Sequence, residues 1–514
     1  MSFKSLLKET AKWLLPSLLL LTVVAPGAMA RTSGHPDTLV VATTYDAKTL
    51  DPYMTNDVAS SNAMRQIYET LVAIDDAGNV VPSLAEKVER VDDTTYRFTL
   101  KKGVKFHNGE PLTADDALYS LRRAYEKGAA VRHIMGVIDP AGFKKIDDYT
   151  FEVKTKEPMS SFLAALTHFG GGVILNRKAV EAAGDDYGFN PVGTGPYKLV
   201  TWRKGDRMEL ERFEDYHGTK PEFRKMVLRV IPEASNRTIE LESGNVDIAF
   251  ELSSLDVSRV EANPNLKLVS LVDNSVTYLG FNCSKPPFDN QKLRQAIFTA
   301  INIPASVKAV FRGNAYPAAG VIAPNVKYAN PALEVPKADL KKAKQLLAEA
   351  GYPDGLTTTL WTNSKKVRVD MATIIQAQLK KIGVDVKIQV LEWGAYLQGL
   401  KEFKHELFLV GWTCQTPDPD MAVYPTFHSS QIGGNNFAAF GDPAVDELLA
   451  KARITPDGPE RQAMYYEIQD QLRDKAPWVP LANKKYAFGL QDYITGFTPS
   501  PFGFHALYEV KLKK

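Results

Sequence analysis

Arg368 stands at the predicted start of a helix over 368–382, a few residues after a predicted strand over 357–361. A guanidinium there, together with the free backbone N–H groups of the first helical turn, can hold a carboxylate. Trp412 closes another predicted strand, 407–412, where its ring can lie on an apolar side chain or a peptide plane. Each has a plainer alternative: a solvated charge at a helix start, and a strand residue facing the core. The loops that follow these strands, 362–367 and 413–436, leave the carboxyl ends of strands in an α/β pattern, where loops converge on ligands without disturbing the ladder. A loop at 44–48, carrying Tyr45, follows the first predicted strand in the same way.

This chemistry is that of holding a zwitterion. The compact motifs of bond-breaking and nucleotide sites are missing: there is no Gly-x-Ser-x-Gly elbow, the Gly193-Thr194-Gly195 turn lacks the third glycine and helix of a dinucleotide site, and no lysine follows a glycine loop. The eight histidines are scattered without metal-ligand spacing, so His107, His168, His217 and His428 read as structural and no cofactor is expected.

The elements that must position these loops fall into two styles. From 74 to about 188, short strands (95–100, 150–154) alternate with helices and glycine turns, and strands follow at 197–200, 208–212 and 226–231. Past 288 the order becomes αβαβ: a helix over 337–350, a strand over 357–361, a helix over 368–382, and a strand in which Val384, Val386, Ile388 and Val390 alternate. That order predicts a largely parallel sheet with helices on its faces. Short strands near 486–489 suggest a return to the first domain.

The densest local signal is 92–124. Tyr96, Phe98 and Leu100 alternate as in a half-buried strand, Gly103 and Asn108-Gly109 supply turns, and Thr113 with Asp116 resembles a capping box ahead of an amphipathic helix. Within it, FTLKKGVKFHNGEPLTADDALYSL (98–121) resembles the signature region of the family 5 extracytoplasmic solute-binding proteins, receptors of ABC importers. Three further segments resemble that family in the same order: NPVGTGPY (190–197), FNCSKPPF (281–288) with RQAI (294–297), and Gly411-Trp412 followed by Asn435-Asn436.

The resemblance implies an α/β, two-lobed periplasmic-binding-protein fold (type II, cluster C-like) with an extra small α+β domain in the first lobe and a hinge of crossing strands. Expected divisions are 31–73, 191–279 and 488–514 for lobe I, 74–190 for the small domain and 280–487 for lobe II. It implies a monomeric, non-enzymatic receptor that captures a small peptide or peptide-like ligand and delivers it to ABC permease subunits in the inner membrane. A secreted hydrolase, or a relative binding glutathione, a metal chelate, an opine or an oligosaccharide, is the alternative. Expected ligand contacts are Tyr45, Arg368, Trp412, Thr413, Gln415 and Asn436. Peptide-binding members carry an aspartate three residues after the tryptophan, to receive the ligand's amine; here that position is Gln415. Losing the charge costs on the order of 2–4 kcal/mol unless another acid, such as Asp418 or Asp420, replaces it.

The first thirty residues read as a signal peptide: Lys4, Lys8 and Lys12, an apolar run over 13–24, and Ala28-Met29-Ala30 before a cleavage near Ala30/Arg31. Its removal takes the formal charge from +2 to zero, which gives no electrostatic case for nucleic acid. With no cysteine near the cleavage site to carry a lipid, a free periplasmic protein is expected. The two cysteines, Cys283 and Cys414, each follow a predicted strand, so a bridge could form if those strands are neighbours.

Overall fold

The computed structural model describes residues 36–75, 78–128 and 131–513, so the expected signal peptide lies outside the described residues. Strand β1 (Thr38–Thr43) is buried along nearly its whole length, as its unbroken apolar run requires of a central parallel strand. The chain then builds a four-stranded antiparallel sheet in the order β2 (Ala85–Arg90), β3 (Thr95–Leu100), β5 (Thr150–Lys154), β4 (Lys144–Lys145). Helix α1 (Ala114–Lys127) packs on it. The expected capping box is present: the Thr113 amide and hydroxyl donate to Asp116 Oδ2 at 3.1 and 2.9 Å.

Strands β6 (Tyr197–Arg203), β7 (Arg207–Arg212) and β8 (Lys225–Val230) return the chain to β1, which pairs in parallel with β8 on one side and β9 (Ile248–Ala249) on the other. Two glycines explain the NPVGTGPY segment. A Cβ on Gly193 or Gly195 would lie 2.1 or 2.6 Å from the Ile67 carbonyl oxygen, so the turn sits directly on the end of the helix Val58–Ile67. His107 ties this turn to the 92–124 segment: its Nδ1 accepts from the Gly193 amide, which leaves Nε2–H to donate to the Gly195 carbonyl at 2.9 Å.

After β10 (Leu266–Val272) the chain crosses to a second sheet through Asp273 and Asn274. There β11 (Ser275–Phe281) is buried throughout, followed by β12 (Ala315–Pro317), β13 (Leu356–Asn363), helix α2 (Lys366–Leu379), β14 (Val384–Leu391), helix α3 (Trp393–Lys401) and β15 (Leu407–Thr413). Helices α4 (Asp420–Phe427), α5 (Pro443–Ile454) and α6 (Pro459–Lys475) come next. The expectation of a largely parallel sheet holds only for its outer half. β14, β13 and β15 are parallel, but β11 enters from the other lobe against the direction of β15.

The last long strand, β16 (Trp478–Gln491), belongs to both halves. Its first residues pair with β11 and its last with β10 and β9, so one strand runs through the two sheets. The connections between the halves are thus the 273–274 link and the middle of β16.

Candidate functional site

The carboxyl ends of β13 and β15 and the start of α2 face the loops after β1 and β9, near enough that Tyr45 bears electrostatically on Arg368 and Glu251 on Lys484; the space between is the inter-lobe gap. Arg368 sits in the first turn of α2, half-buried. Its Nη1 donates to Asn363 Oδ1 at 3.1 Å, its guanidinium lies 5.4 Å from the Trp393 ring centre, and Nη2 passes over Gly411. No acid comes within ion-pair distance of Arg368 among the described residues. Burial lowers its pKa, with Tyr396 and then Tyr45 acting against that. Tyr45, in the loop after β1, is 55% exposed and near enough to bear electrostatically on Arg368.

The loop after Trp412 is more self-occupied than its sequence suggests. Trp412 is half-buried and its Nε1 donates to the Met421 carbonyl at 2.8 Å, which fixes the ring against α4; Thr413 ends β15 opposite Ser275. Gln415 is buried, and its Oε1 accepts from His168 Nε2 at 2.9 Å, because His168 Nδ1 is already held by the Gly170 amide. Asp418 is gripped by both terminal nitrogens of the buried Arg461 at 2.7 and 2.8 Å, and Asp420 faces Arg453 and Ser161. Neither can stand in for the missing aspartate. Asn436 is also withdrawn: it is fully buried, donating to the His428 and Phe440 carbonyls and accepting from the Phe440 amide.

The cysteines are both free. Their strands are indeed neighbours, but antiparallel, with Ser275 opposite Thr413 and Phe281 opposite Leu407. A residue following each strand therefore falls at opposite ends of the ladder, about 20 Å apart at ~3.4 Å per residue, far beyond disulfide reach. Burial holds both as thiols, pushing Cys283 up to about 11 and Cys414 further.

The model of the bacterial extracellular solute-binding proteins, family 5, matches residues 79–434. The chain belongs to this family. It is 33% identical over 502 residues to the glutathione-binding protein GsiB of Salmonella paratyphi A, covering 96% of this chain and 97% of that one. Among solved structures it resembles the periplasmic binding protein DppA from Helicobacter pylori in complex with the peptide STSA, at 32% identity and a TM-score of 0.84, covering 93% of this chain and 98% of that one. It also resembles a dipeptide-binding protein from Pseudoalteromonas sp. SM9913 in complex with Met-Leu, at 27% identity and a TM-score of 0.84, covering 93% and 100%.

Several charged residues of this family 5 receptor's gap escape sequence reasoning. Glu251 follows β9 in the left-handed region, φ 49°, and its carboxylate accepts from the Thr44 hydroxyl. Its loop is held by Arg237, a buried guanidinium that donates to the carbonyls of Ile231, Pro232, Phe250 and Glu251. Asp273, fully buried at the crossing, takes the Ser275 hydroxyl on both carboxylate oxygens. Lys484 lies on β16 where that strand passes between the sheets. The available signal was a Lys-Lys pair inside the largely apolar strand WVPLANKKYAFGLQ.

Proposed function

We propose that this chain is the periplasmic solute receptor of an ABC importer, and that it captures a peptide-like solute through a free carboxylate bound at Arg368. The observation that carries this reading is a guanidinium in the first turn of α2, half-buried, stacked near Trp393, and without a carboxylate partner among the described residues. A buried unpaired cation is costly unless something compensates it, and a bound carboxylate does so with charge-assisted hydrogen bonds. Tyr45 from the opposite rim, with Trp412 and Thr413 at the end of β15, would complete the enclosure.

We place the hinge at 273–274 and within 482–485, where the two connections pass between sheets, rather than at 279 and 487. Lobe I would then be built on the β1 sheet, with the β2–β5 unit as an additional domain, and lobe II on the β11–β15 sheet. Closure is a population shift: the solute must bind the closed form more tightly than the open one. The mature receptor would begin near Arg31 after export, and would dock on permease subunits as a monomer.

Thermal unfolding with and without dipeptides and glutathione tests the reading. Carboxylate-bearing peptides should raise the melting temperature of the wild type, and Arg368→Gln should abolish the rise while leaving the unliganded melting temperature within a few degrees. An unchanged rise in the variant would sink the assignment of Arg368.

A further inference from the structure

Lys484 turns toward the gap where β16 passes between the sheets. β16 alternates its side chains between two faces. Asn483 donates to the Ser275 carbonyl and the Lys485 ammonium lies over the Tyr316 ring, whereas Lys484 and Tyr486 point the other way, to the side of Asp273, Glu251 and Tyr45. Lys484 is half-buried, and among the described residues no acid comes within ion-pair distance of it. The acid that bears most on it, Asp273, has both oxygens on Ser275, and burial raises its pKa. Glu251 is engaged by Thr44. Lys365 and Arg368 add positive charge from the start of α2. Lys365, Arg368 and Lys484 therefore bring three positive charges to this gap, and among the described residues none of them has an ion-pair partner.

Resting on the carboxylate reading of Arg368, we propose that Lys484 binds a second anionic group, so that the solute is a peptide-like molecule with two separated carboxylates. Arg368 takes one and Lys484 the other. A neutral-side-chain dipeptide would leave Lys484 unsatisfied, whereas a glutamate-containing peptide would fill both positions.

Burial, with Lys365 adding to it, already holds the free lysine down to about 8. The groups facing it from neighbouring elements are Asp273 at the crossing, Glu251 after β9, Lys365 and Arg368 at α2, and Tyr486 on its own strand. An incoming carboxylate raises that pKa, so the complex binds more protons than the free protein. Affinity is therefore full below pH 8 and falls as pH rises through it.

Isothermal titration of the wild type, Lys484→Gln and Arg368→Gln with glutathione, Ala-Glu and Ala-Gln tests this. The wild type should bind one of the two dicarboxylates at least about tenfold tighter than Ala-Gln, and Lys484→Gln should erase that preference. At pH 8.5 in two buffers of different ionisation enthalpy, the wild type should take up protons on binding its dicarboxylate and the variant should not. Preference for Ala-Gln, or a preference for dicarboxylates that survives in Lys484→Gln, overturns the role of Lys484 and leaves the Arg368 reading standing. Failure of all three probes to bind, or equal binding by Arg368→Gln, overturns both.

Discussion

The exchange of an acid for Gln415 changes more than one contact. In this chain the residue's oxygen is committed to His168, whose ring burial holds at about 4 and hence neutral. A carboxylate at 415 would pull a proton onto that imidazole. Gln415→Asp should therefore bring His168 to titrate near or above its ordinary value of about 6.5, read by NMR of the ring protons; a titration still near 4 would show that the two side chains are not coupled. Any amine-bearing ligand would then compete with His168 for the new acid. Trp412 and Arg368 could be picked out in the sequence because their types suit a ligand and their positions end predicted elements. Asp418 and Asn436 could not be dismissed there, because the partners that consume them, Arg461 and the Phe440 backbone, are set by loop packing that no period reveals.

Regular elements were readable where they carry a strong period. The capping box at Thr113, the alternation in 95–100 and the αβα order after 337 all reappear within a residue or a few of their expected bounds. Strand direction was not readable, since β11 arrives from the other lobe and no local pattern records that; the disulfide expectation failed for the same reason. The signature segment 92–124 builds the small sheet and its helix, and through His107 it locks onto the Gly193–Gly195 turn. It contributes no residue to the gap. The rim of the gap that carries Glu251 is positioned by Arg237, whose guanidinium gathers the loops after β8 and β9. Arg237→Met leaves four carbonyls without their donor and should cost about 3–5 kcal/mol, measured by urea unfolding. A loss under 1 kcal/mol would mean that water replaces the guanidinium and that the loops are held by other contacts.

At the scale of the whole molecule, the two lobes also meet outside the gap. The Ser160 amide and hydroxyl donate to the Arg453 and Thr455 carbonyls, Ser161 reaches Asp420, and His168 reaches Gln415. Buried histidines give the fold a defined acid limit. Burial holds His168 and His405 at about 4 and His505 at about 3. The unfolded chain binds protons at these groups from about pH 6.5 downward while the folded chain does not, so their stabilisation is full above that pH and is lost as pH falls toward 4. Each contributes up to roughly 3 kcal/mol across that window. The melting temperature should fall steeply between pH 6 and 4; a flat profile there would mean these rings titrate freely in the folded state.

A carboxylate-bearing, peptide-like solute held at Arg368 between the lobes would be carried with the protein from its native compartment. Native mass spectrometry of the protein recovered from the periplasm of its own host tests it most directly. The account predicts a retained small molecule with at least one free carboxylate, two if Lys484 acts as inferred, and its absence from the Arg368→Gln variant. A retained neutral sugar, or a carboxylate held equally by that variant, would contradict it.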